Sequence, residues 1–108
     1  MSKHTKRVRA EVAARAEGNC EACSAWVGLD GESGHLDHFF GRAKAEESVS
    51  TCWLLCGACD THKTLNKPTA VFWLVAFISH AEKHSYAAEL EMAHAKLGVR
   101  HAKTGRAA

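Results

Sequence analysis

The stretch that decides the fold is His35-Leu36-Asp37-His38-Phe39-Phe40-Gly41-Arg42, followed after a polar connection by Leu54-Leu55-Cys56-Gly57-Ala58-Cys59-Asp60-Thr61-His62-Lys63-Thr64. An acid stands beside a histidine, and a cysteine pair is followed at once by a second acid. The earlier pair, Cys20-Glu21-Ala22-Cys23, completes a set of four cysteines. Two thiols at this spacing share one tight turn. Two such turns supply the donors of a closed tetrahedral Zn(II) site. An all-cysteine shell leaves no open position, so the zinc is expected to be structural. An iron–sulfur cluster or four reduced, buried thiols are the competing readings. Cys52 precedes Trp53-Leu54-Leu55 and reads as a small buried hydrophobe rather than a ligand.

A chain of 108 residues has room for one core and one domain. With 46% hydrophobic and 24% charged residues, wholesale disorder is excluded. A net charge of +2 is a weak argument for nucleic acid by itself, whereas eight histidines raise the question of metal chemistry. The basic N-terminus is not followed by an apolar h-region. The longest apolar run, Ala70 to Ile78, is too short to span a bilayer. A reducing cytosol is therefore expected, where paired cysteines bind metal rather than form disulfides.

Val8, Val12 and Ala16 predict a helix over 5–17, stopped by Gly18-Asn19. Ala25 to Leu29 and His35 to Phe40 read as the two strands of a hairpin, turned by Asp30-Gly31 and Ser33-Gly34. Residues 41–50 read as a loop with one helical turn around Lys44 to Glu47. The apolar Thr51 to Leu55 leads into the second cysteine turn, and a short helix runs from there to about Thr64. Asn66-Lys67-Pro68 breaks the chain, and Thr69 is placed to cap a buried helix over 70–83. Phe72, Trp73 and Phe77 of that helix read as core. Ser85 is expected to cap a last helix over 86–97 that ends at Gly98, leaving 99–108 as a basic, mobile tail.

Neighbours in a strand face opposite ways. Asp37 is thus placed to hold a cation while His38, whose ring titrates near neutrality, activates water. Mg(II) takes oxygen ligands and keeps several waters, so Asp37 and Asp60 could hold it from two sides. The bland alternative is a surface dipeptide and an acid favoured by a helix N-terminus.

Taken in order, Cys-x2-Cys, Asp-His and Leu-Cys-x2-Cys-x3-Lys-Thr make residues 18–64 resemble the HNH endonucleases of the ββα-metal superfamily. The resemblance implies an α+β fold. Its core is ββα-metal and treble-clef-like, spans about 18–67 and is stapled by a four-cysteine zinc. An N-terminal helix and two C-terminal helices over 68–98 flank that core. The resemblance also implies hydrolysis of DNA phosphodiester bonds with one Mg(II) or Mn(II). His38 would be the general base, and Asp37 and Asp60 the cation ligands. Arg42, His62 and Lys63 would contact the nucleic acid, with Arg42 neutralising phosphate at the scissile bond. Two positions depart from the pattern. Asp60 stands where the family carries His, and related phage junction-resolving endonucleases carry Asn. Thr51 stands where the middle Asn braces the loop and orients the base.

The implied partner is DNA, in the cytoplasm of a bacterium or a phage-infected host, with no membrane contact. The C-terminal helices would suit docking to phage packaging or other nucleic-acid machinery. The alternative function is a catalytically degenerate HNH-like zinc module that binds DNA or a protein. Lys3, Lys6, Arg7, Arg9, Arg15, Arg100, Lys103 and Arg106 would widen a DNA footprint through phosphate contacts, or only aid solubility. His80 and His84 are one helical turn apart on one face, a spacing that offers a metal pair, but with His94 and His101 they read as surface histidines.

Overall fold

A computed structural model describes residues 3–41, 47–65 and 70–105. The chain runs α1 (Lys3–Ala16), β1 (His35–His38), β2 (Cys52–Leu55), α2 (Gly57–Leu65), α3 (Ala70–Lys83) and α4 (Ala87–Gly105). Among the described residues this is an α+β fold of four helices and a two-stranded antiparallel sheet. The register sets His35 opposite Leu55 and His38 opposite Cys52. All four residues of β2 are buried, which its sequence Cys-Trp-Leu-Leu requires. The helix α1 covers this strand with Val8 and Val12, one turn apart. From α3, Phe77 meets Trp53 edge-on at 5.2 Å and stacks on Phe39 at 4.1 Å. Each such aromatic pair adds about 0.5–1.5 kcal/mol beyond its buried area. Cys52 is fully buried, as its apolar neighbours led one to expect.

The strand expected over 25–29 does not form. β1 pairs with β2 instead, and Trp26 makes a single bridge to Asn19. Gly28 (φ 94°) and Gly31 (φ 66°) turn this segment out of extended backbone. Val27 N–H returns to Gly18 O at 2.8 Å, and Ser33 N–H returns to Val27 O at 2.9 Å. Burial decides the pairing. Cys52 to Leu55 are apolar at every position and need a covered place, whereas Trp26 and Leu29 remain 67% and 70% exposed.

The end of α3 also differs from expectation. Ser85 adopts φ 59°, its N–H bonds to Glu82 O, and Tyr86 N–H bonds to Ala81 O. These are the two bonds of a Schellman stop, so Ser85 ends α3 rather than capping the last helix. The last helix then passes through Gly98 to Gly105, so backbone helix occupies 99–105. On α3, Trp73, Leu74, Phe77 and Ile78 are buried, but Phe72 and Val75 face outward. His80 is buried, not on the surface.

Arg9 and Arg15 make hydrogen bonds within the protein. Arg9 donates to Gly31 O and Gly34 O at 3.0 Å each, and Arg15 pairs with Glu21 at 2.7 Å. Arg42, the turn expected from Lys44, the Asn66-Lys67-Pro68 break, Thr69 and Arg106 lie outside the described residues. Among the described residues no helix is long and apolar enough to cross a membrane.

Candidate functional site

The four cysteines come together. Cys20 and Cys23 lie on the turn after α1, Cys56 follows β2, and Cys59 lies in the first turn of α2. Their Sγ atoms all lie within 4.8 Å of one another, and the set could hold a metal ion. Four sulfurs at a zinc–sulfur distance of about 2.3 Å around a tetrahedral ion stand about 3.8 Å apart. The Cys23 and Cys56 sulfurs are 3.7 Å apart. Each turn also points its second amide at its first sulfur: Cys23 N–H to Cys20 Sγ and Cys59 N–H to Cys56 Sγ, both 3.5 Å. Burial raises Cys20, but the amides of Cys23, Cys56 and Ala22 outweigh it and bring the thiol down. Burial first, then the crowding of its neighbours, pushes Cys59 up. Four thiols this close ionise together only around a cation, and Zn(II) fits that requirement.

The second half of the site is the face between β1 and α2. Alternation sends His35 and Asp37 toward α2. The first turn of α2 carries Asp60, directly after Cys59, so the cysteine turn itself positions this carboxylate. His35 Nδ1 lies 3.9 Å from Asp60 Oδ2. One turn along, Lys63 Nζ lies 3.3 Å from Asp37 Oδ1 and 3.2 Å from Oδ2. Trp53 Nε1 donates to Asp37 Oδ2 at 2.8 Å. Asp37 and Asp60 therefore lie along the same facing pair of elements. Among the described residues neither belongs to a cluster of three metal ligands. A cation here would rest on two carboxylates and water, the Mg(II) pattern, and would compete with Lys63 for Asp37.

His38 points to the other side of β1. Its Nε2 is hydrogen-bonded to Glu47 Oε2, and Glu47 Oε1 accepts from Thr5 Oγ1 at 2.8 Å. The ring is thus fixed from the α1 side. A base at His38 must work through Nδ1 or release Glu47. Thr51 braces the turn into β2: its hydroxyl accepts from Ser48 N–H at 3.0 Å and donates to Ser48 O at 3.2 Å. Its carbonyl accepts from Phe39 N–H at 3.1 Å, next to His38. His62 ties α2 to α3, its Nδ1 accepting from Trp73 Nε1 at 3.1 Å. Lys63 reaches Asp37 across the Phe39 ring, 5.3 Å from its centroid.

The sequence reading missed His35 and Glu47. His35 carries a signal in retrospect, being two residues before Asp37 and so on the same strand face. Glu47 carries none, because no strand or helix spacing relates position 47 to position 38. Comparison with protein-family models, with curated proteins and with solved structures finds no match.

Proposed function

We propose that the chain is an HNH-type endonuclease that hydrolyses DNA phosphodiester bonds, on a ββα-metal core stapled by zinc at Cys20, Cys23, Cys56 and Cys59. The observation that carries this reading is the order β1, β2, α2 inside the cysteine frame, with Asp37 and Asp60 on facing elements. Asp37 and Asp60 would hold one Mg(II) or Mn(II). A cation held there would supply charge to polarise the phosphate and stabilise the leaving 3′ oxygen. His38 would accept the proton of a water whose oxygen attacks phosphorus, as the P–O3′ bond breaks, once its ring has left Glu47 and turned from the far side of β1 toward the cation. Lys63 transfers its charge from Asp37 to a phosphate oxygen as DNA and cation bind.

Nicking of supercoiled plasmid in Mg(II) or Mn(II) tests this. Wild type should nick, and His38→Ala should be about 10²–10⁴-fold slower at unchanged zinc content. Equal rates in both proteins, or no nicking by wild type, would refute it.

A second reading has its own support. Asp37 is already paired with Lys63 and Trp53, and His38 with Glu47, which suits a zinc module that binds DNA or a protein without cutting. A gel shift on DNA with no nicking under either cation would select it.

A further inference from the structure

A second cluster of metal-binding side chains lies on the far side of Trp53. The Trp53 indole N–H faces Asp37, while its ring lies 5.4 Å from that of His80. Glu21 sits on the first cysteine turn, between Cys20 and Cys23. His80 and His84 are one turn apart at the end of α3 and so share a face. His80 Nδ1 and His84 Nε2 lie 3.8 and 3.9 Å from Glu21 Oε2. One ligand atom from each residue falls within 4.8 Å of the others. We propose that Glu21, His80 and His84 form a second metal site, for a borderline divalent transition ion of the Zn(II) type.

The distances suit an ion better than they suit direct pairing. At 3.8 and 3.9 Å neither imidazole is hydrogen-bonded to the carboxylate. Donors about 2.0–2.2 Å from a tetrahedral ion stand about 3.3–3.6 Å apart, so the three close around zinc with small side-chain movements.

Glu21 is held in place. Its Oε1 accepts from Arg15 Nη2 at 2.7 Å and from Leu54 N–H at 3.0 Å, while Oε2 accepts from Arg15 Nε at 2.7 Å. Oε2 keeps a lone pair on the histidine side, and bonds of this kind orient ligating carboxylates. Arg15 and Lys83 are the cations nearby, and their charge makes this the weaker of the two metal sets. Two nitrogens and one oxygen select Zn(II), Co(II), Ni(II) or Cu(II) over Mg(II). Three protein ligands leave a position open, toward a cavity of about 600 Å³ lined by Arg15, Asn19, Ser79, Lys83 and the ligands themselves. The site is independent of whether the chain cuts DNA.

Co(II) titration of the zinc-containing protein, followed by visible absorption, tests the proposal. Wild type should take up one Co(II) with ligand-field bands and no thiolate charge-transfer band. Any Co(II) entering the cysteine set shows that charge-transfer band and is counted separately. His84→Ala removes a partly exposed ligand, and the fold is checked by circular dichroism. It should bind Co(II) at least about tenfold more weakly. As a check free of substitution, the ring ¹⁵N resonances of His80 and His84 should shift as Zn(II) is added, and that of His94 should not. No Co(II) uptake outside the cysteine set, equal affinity in His84→Ala, or unmoved His80 and His84 resonances would overturn the site.

Discussion

Arg15→Met should be among the most damaging single changes outside the cysteines. The side chains of Arg15 and Glu21 are only 10% and 5% exposed. Arg15 Nη1 donates to Val49 O at 2.7 Å and to Tyr86 OH at 3.0 Å, and Nη2 to Cys52 O at 2.9 Å, besides the two bonds to Glu21. One guanidinium therefore joins α1, the first cysteine turn, the approach to β2 and the approach to α4. Methionine preserves the apolar stem and deletes every donor. A buried carboxylate deprived of its cation costs about 3–5 kcal/mol. Against a total stability of about 5–15 kcal/mol, that is a large share. At about 4–8 °C per kcal/mol for a domain near this size, Tm should fall by roughly 12–40 °C. Arg15→Lys keeps the charge without the fork and should fall between. Arg15→Met combined with Glu21→Leu removes both charges and should recover only part, because Leu54 N–H loses its acceptor at about 1–3 kcal/mol. Urea unfolding of protein carrying zinc in the cysteine set alone, with no free divalent ion, read by tryptophan fluorescence, measures each variant. A loss under about 1 kcal/mol for Arg15→Met, the level of an exposed ion pair, would refute the reasoning.

Ser85→Gly should stabilise by about 0.5–1 kcal/mol, since glycine takes the left-handed backbone at φ 59° without strain; thermal melts will show it. Gly34→Ala should cost about 1–3 kcal/mol by overpacking, because its Cβ would lie 2.8 Å from Leu54 in the closed core; urea unfolding reads the loss. Elemental analysis should find about one zinc in the cysteine set, lost in Cys56→Ser together with the near-ultraviolet dichroism of the core, and a metal-free protein that stays folded would count against it.

The cysteine frame, α2 and the buried helix over 70–83 were legible because each rests on local spacing: two cysteine pairs, an acid after the second, and an apolar run bounded by polar residues. The pairing of β1 was not. Ala25 to Leu29 and Thr51 to Leu55 are both apolar enough for a strand, and only the demand for cover on both faces of Trp53 and Leu54 separates them. Arg15 and Glu21 were hidden for a different reason. Arg15 read as a surface cation, and no local spacing shows that Tyr86 and the two histidines of α3 come to lie beside the Arg15–Glu21 pair. His80 shows the same effect, since its apolar neighbours Phe77 and Ala81 place it inside while its own chemistry suggested the surface.

In the proposed nuclease Asp60 would stand where the HNH family carries histidine, and the direct measurement is metal-dependent plasmid nicking by Asp60→Ala and Asp60→His. The account predicts a loss of about a hundredfold or more in Asp60→Ala, since one of two cation ligands is gone, and activity within about tenfold of wild type in Asp60→His. Nicking by Asp60→Ala at the wild-type rate would contradict it.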